Sequence, residues 1–268
     1  MKHTFVREKS LERRGCDYKE VDWYEYSEEE QSAVRQPRRT RTKGTIPKVK
    51  QLNDKRSRKY FRWLLNNNFG KEDYHVTLTF AKEPSRMGSK KAYDNFMRRL
   101  RRLYHKHGVT LKYISVFEGR RSGARLHFHV VMSGGVPREE IENLWKLGMV
   151  NADRLQPDPA DGLNALAAYL TKSVSLADKY ERSWNCSTNL KRPDEVVDDN
   201  SVSRKRMRKV QDAARNDEVK KIVEKLYDGW RVIDYEIGCN PVTGRQYARF
   251  RLLRNQKPRT AYKKGKSP

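Results

Sequence analysis

Cysteine is scarce in this chain. Cys16, Cys186 and Cys239 are the whole complement, odd in number, far apart and in no CxxC pair. That excludes a disulfide framework and a cysteine-built zinc site, and it fits a reducing cytoplasm. Long apolar runs are missing too: none approaches the roughly 18–20 residues needed to cross a bilayer. The opening MKHTFVREKS holds no apolar stretch of the kind a secretory signal needs. No GxxxxGK[ST] loop occurs, so a P-loop NTPase is excluded. Acidic residues are few against basic ones, 34 against 59, and the formal charge is +25. An excess of that size calls for a polyanionic partner, and without a membrane segment nucleic acid is the leading one.

The 268 residues fit one large domain with extensions. Residues 1–55 read as an N-terminal arm: acidic WYEYSEEE (23–30) gives way to RQPRRTRTKGTIPKVK (35–50), with seven basic residues and no acid. Flexibility and a grip on phosphate backbone through Arg38, Arg39 and Arg41 are compatible readings of that arm. Residues 56–255 carry the periodic structure, and 256–268 form a basic tail. RKYFRWLLNNNF (58–69) reads as a short helix stopped by its asparagines and Gly70, and DYHVTLTF (73–80) as a strand. Residues 89–106 set Ala92, Phe96, Leu100 and Leu103 at helical spacing, with Arg98, Arg99, Arg101 and Arg102 mostly on other faces. KYISVFEG (112–119) and ARLHFHVVMS (124–133) read as a hairpin turning at Ser122-Gly123. Helices at 137–147 and 161–174 follow, the latter capped by Asp161, with a short strand at 149–155 between them. A long charged helix at 201–227 and a hairpin of 230–237 with 246–253 complete the pattern. The expected class is α+β: a central antiparallel sheet packed by helices, with a C-terminal long helix and β-hairpin.

Chemistry concentrates at His127-Phe128-His129. Strand alternation sends both imidazoles to one face and Phe128 to the other. With Ser122 and Gly123 as the turn, paired positions sum to 245, which sets Glu118 directly opposite His127 and on its face. Two imidazoles, one carboxylate and open positions suit Mg²⁺ or Mn²⁺ in phosphoryl chemistry; a half-exposed histidine pair on a sheet is the bland alternative. In Tyr169-Leu170-Thr171-Lys172 the buried stripe is Leu163, Leu166, Leu170 and Val174, which leaves Tyr169 outside the core and Lys172 nearby. A tyrosine whose proton is accepted nearby can act as a nucleophile, and a cation beside it favours phenolate.

HFHV (127–130), YLTK (169–172), VTLTF (76–80) and WNCSTNLKRP (184–193) together resemble the rolling-circle replication initiators, the HUH endonucleases of small phages and plasmids. The resemblance covers about residues 56–253. It implies an HUH, ferredoxin-like palm, a divalent metal on His127 and His129, attack on DNA by Tyr169, and Lys172 as the accompanying lysine. Glu118 as third ligand rests on the register argument, supported by the family's usual polar residue. No second tyrosine stands four residues from Tyr169, and Tyr180 is eleven residues on, so a single nucleophile is expected. The implied activity is nicking and rejoining of single-stranded origin DNA through a 5′-phosphotyrosine, in a bacterial host cytoplasm. Arg98, Arg99, Arg101 and Arg102 would contact phosphates, and host helicase and polymerase would do the unwinding and synthesis. A relaxase or transposase with the same chemistry, and a non-enzymatic basic nucleic-acid binder, are the rivals. His75-Val76-Thr77 suggests a two-histidine phosphoesterase, but no second HxT or HxS accompanies it.

Overall fold

A computed structural model describes residues 4–27, 47–119, 125–172, 184–214, 218–240 and 244–255. In chain order the elements begin with β1 (Thr4–Glu12), β2 (Tyr18–Ser27), α1 (Pro47–Asn68), β3 (Tyr74–Thr79) and α2 (Arg86–Lys106). Then come β4 (Tyr113–Glu118), β5 (His127–Met132), α3 (Arg138–Glu142), β6 (Val150–Arg154), α4 (Asn164–Leu170) and β7 (Trp184–Cys186). The chain ends with β8 (Asp194–Asp198), α5 (Arg204–Ala213), α6 (Val219–Glu224), β9 (Trp230–Cys239) and β10 (Gln246–Arg254). The class is α+β, as the sequence predicts, but with two five-stranded sheets instead of one, ordered β8-β1-β2-β10-β9 and β6-β3-β5-β4-β7. Each belongs to its own compact unit: one of residues 1–12, 17–35 and 195–268, the other of 13–16 and 36–194.

The first unit corrects the reading of residues 1–55 as an arm. β1 pairs antiparallel with β2, and β2 with β10, so residues 4–27 are interior strands of a sheet. Val6, Val21 and Trp23 join Ala248, Phe250 and Leu252 in its core. The expected hairpin forms as β9–β10 but continues into β2. The expected long helix at 201–227 is two helices. Met207, Val210 and Ala213 form the buried side of α5, and Val219 and Val223 that of α6. At about 100° per residue, Val219 lies about 240° round from Ala213, so one continuous helix could not bury both sets.

In the second unit β5 is the middle strand. It pairs antiparallel with β3 on one side and β4 on the other. One face carries Phe128, Val130, Met132, Val76, Leu78 and Ala152, packed with Phe96, Met97, Leu100 and Tyr104 of α2. Phe128 lies stacked between Tyr93 and Phe117, with ring centroids at 4.5 and 4.4 Å and interplanar angles of 18°. On the other side α1 sets Phe61 edge-on to Trp184 at 5.4 Å, and Trp184 Nε1–H donates to Ser57 Oγ at 2.9 Å.

Asn66, Asn67 and Asn68, which read as a helix stop, are the last turn of α1. Each side-chain amide donates to the carbonyl four residues back, satisfying groups a helix end leaves open. Asn66 also accepts from Leu163 N–H and donates to Asn164, and Asn68 does the same to Lys191 N–H and carbonyl. These bonds seat α4 and the segment after β7 against α1.

Candidate active site

The hairpin register is the one the parity argument predicts. Glu118 pairs with His127, and Val116 with His129. His127 and His129 therefore share a face with Glu118, and Phe128 enters the core behind them. The ligand atoms of Glu118, His127 and His129 all lie within 4.8 Å of one another.

The local bonds prepare both imidazoles for a cation. His127 Nδ1 lies 2.7 Å from the Arg125 carbonyl. A carbonyl only accepts, so Nδ1 carries the proton and Nε2 keeps a lone pair, aimed at Glu118 Oε2 3.6 Å away. Gly119 makes this possible. Its φ is +110°, and a Cβ there would fall 2.3 Å from the Arg125 carbonyl oxygen. On His129, Nδ1 meets His75 Nε2 at 3.1 Å and Thr77 Oγ1 at 3.3 Å. Its Nε2 is buried and makes no hydrogen bond. An orphaned buried ring nitrogen is costly unless something occupies its lone pair. Burial, and then the neighbouring His75, His127 and Lys172, push the His129 pKa down to about 3. The ring is thus neutral at physiological pH, the form that ligates metals. Two neutral imidazoles and a carboxylate with open positions fit a divalent cation.

In the sequence His75 is only half of an HxT motif. The structure stacks its ring on His129, with centroids 5.1 Å apart. Asp153 pairs with it across β6, and burial lowers its pKa. With His129 Nε2 given to a cation, Nδ1–H must donate, and neutral His75 and Thr77 are its acceptors. That is the outer-shell pattern that fixes a ligating histidine's tautomer.

α4 is shorter than expected: Asp161 does not cap it, and its cap residue is Leu163. Buried Asn164, Ala167 and Leu170 face inward, while Leu166 is only partly covered and Val174 lies outside the described residues. Tyr169 is 45% exposed, as its position predicts. Its ring lies edge-on to His129 with centroids 5.4 Å apart, and Lys172 Nζ sits 4.0 Å from the ring centre. Lys172 Nζ also lies 3.4 Å from Glu118 Oε2, so lysine, carboxylate, histidines and tyrosine form one cluster.

Arg98, Arg99, Arg101 and Arg102 are exposed, but α2 covers the Phe128 face of the sheet, opposite the histidines. Arg38, Arg39 and Arg41, with the tail from residue 256, lie outside the described residues.

Residues 73–174 match the family model of the replication-associated protein ORF2. The match spans β3 through α4, and so holds both histidines, Glu118, Tyr169 and Lys172. It supports a protein of the replication-initiator type, acting on DNA. No curated protein and no solved structure matches the chain. Among the described residues no helix is long and apolar enough to cross a membrane.

Proposed function

We propose that this protein is a single-tyrosine rolling-circle replication initiator that nicks and rejoins single-stranded origin DNA. The observation that carries the reading is Tyr169 standing edge-on to His129 within the cluster of Glu118, His127 and His129. Glu118, His127 and His129 would hold Mg²⁺ or Mn²⁺. When bound, such a cation supplies charge to a non-bridging phosphate oxygen and orients the phosphate for in-line displacement. Tyr169 attacks phosphorus through its phenolic oxygen and loses its proton to solvent. The bond from phosphorus to the 3′ oxygen breaks, that oxygen takes up a proton, and the 5′ end stays on Tyr169 as a phosphotyrosine. Lys172, against the ring and only half exposed, favours the phenolate and then the anionic ester. The ester retains the energy of the broken bond, so a 3′ hydroxyl can reverse the step without ATP.

The four arginines of α2 lie behind the sheet. Strand held at the histidine face would reach them only by passing round the sheet edge, so their role is contact with flanking phosphates. Host helicase and polymerase would extend the exposed 3′ end.

The test is incubation with a single-stranded DNA library and Mn²⁺, followed by sequencing of protein-linked 5′ ends. Tyr169→Phe should abolish the adduct while DNA binding persists, and Tyr180→Phe should leave it. An adduct in Tyr169→Phe would refute the assignment, and binding with no adduct in the parent protein would favour the non-enzymatic reading.

A further inference from the structure

The described residues of the first unit carry nearly equal numbers of basic and acidic side chains, but they are sorted. On the strands, cations are paired: Arg7 with Asp199 at 2.5 Å, Arg249 with Glu236 at 3.1 Å, Arg251 with Asp234 at 2.5 Å. On the helical layer they are not. Lys205, Arg208 and Lys209 of α5 and Lys220, Lys221 and Lys225 of α6 and its C-cap are all exposed. None of the ion pairs found among the described residues includes any of them. The buried sides of the same helices, Met207, Val210, Val219 and Val223, are fixed on the sheet, so the outward sides are held in place. Lys205 with Arg208 and Lys209 are neighbours on one helix face, as are Lys221 and Lys225. The exposed carboxylates of this layer are Asp212 and Glu218, while Glu224 turns inward to accept from Val232 N–H.

A unit that neutralises its strand cations and leaves six helical ones unpaired presents a one-sided positive field. We propose that the outward face of α5 and α6 binds the phosphate backbone of duplex DNA, at a surface separate from the histidine and tyrosine cluster. Duplex is favoured over single strand because neither helix contains an aromatic side chain on which an unstacked base could lie. Lysines and arginines without such a platform track charge, not sequence. The surface lies outside the residues that match the replication-associated family, and its binding does not depend on any nick being made.

The experiment uses the full chain and a duplex of arbitrary sequence, with affinity followed by fluorescence anisotropy over a salt series. Two variants divide the patch: Lys205→Gln with Arg208→Gln and Lys209→Gln, and Lys220→Gln with Lys221→Gln and Lys225→Gln. Each should flatten the log–log salt slope by about 0.9 for every cation that meets a phosphate, roughly 2–3 per triple, and weaken binding at about 0.1 M salt at least ~10-fold. Arg249→Gln with Arg251→Gln, which removes paired cations, should leave the slope unchanged. Adduct formation on a saturating single-stranded oligonucleotide should survive in both triples, so failure of the nicking reading would show there and not in the slopes. Unchanged slopes in both triples would overturn the proposal. So would a loss confined to single-stranded DNA or to one sequence. Circular dichroism checks that each variant is folded, and either triple alone suffices for the decision.

Discussion

Glu118→Gln isolates the charge of the carboxylate from its shape. Glu118 is buried, with a side chain 5% exposed, and its neighbours are His127 Nε2 at 3.6 Å and Lys172 Nζ at 3.4 Å. Without metal the substitution should cost little: Lys172 is half exposed, and ion pairs with one partner in water contribute about 1 kcal/mol or less. With metal the difference should be large. A ligand present at 100 times its Kd stabilises the folded state by about 2.7 kcal/mol. For a unit of this size that raises Tm by about 5–11 °C, at 2–4 °C per kcal/mol. Replacing the only anionic ligand with a neutral amide should weaken binding about 100-fold, an order-of-magnitude expectation for a lost charged ligand. At the same Mn²⁺ concentration the stabilisation then falls to RT ln 2, about 0.4 kcal/mol, a rise of roughly 1 °C. The assay is thermal unfolding of the parent, Glu118→Gln, His129→Gln and the surface control Glu139→Gln, each with and without Mn²⁺. If Glu118→Gln and His129→Gln keep the parent's Mn²⁺ shift, the metal binds elsewhere and the reasoning fails.

Three further outcomes are expected. His75→Ala should weaken Mn²⁺ binding by about 10–100-fold in calorimetry, through loss of an acceptor for His129 Nδ1–H, although His75 is not itself a ligand. Phe128→Ala should cost about 3–5 kcal/mol in urea unfolding, since it empties the space between the Tyr93 and Phe117 rings. In the first unit, hydrogen bonding from Arg7 holds the Asp199 carboxyl below its ordinary 3.8. A depressed folded pKa gives stability that is present above the unfolded value and lost as pH falls through the folded one. Asp199→Asn should therefore reduce the loss of stability seen below about pH 4 in acid titration, modestly because the pair is near the surface.

The catalytic constellation was legible because it rests on parity. A strand's period of two and a short turn place Glu118 opposite His127 without knowledge of anything distant. Periodicity alone sets Tyr169 outside the core, although the stripe proves to be Asn164, Ala167 and Leu170 instead of the expected leucines. What could not be read is long-range. β2 finds β10 over 200 residues later, and its mixed composition beside a basic run resembles a tail until that partner is known. His75 acquires meaning only when β3 lies beside β5, which sets Thr77 against His129. The asparagines of α1 give a correct composition signal for a helix end. Their second task, bonding to residues about 100 positions away, has no local trace.

Those asparagines bear on where the protein can be cut. The segment that matches the replication-associated family runs from 73 to 174, and it contains every member of the cluster. It does not contain Asn66, which holds the start of the tyrosine-bearing helix, or Asn68, Ser57 and Trp184 around it. A fragment trimmed to the matching residues would keep the chemical groups and discard the bracket that aims one of them. Expression boundaries drawn before residue 47 and after 194 keep the bracket whole, and similarity alone would have drawn them too tightly.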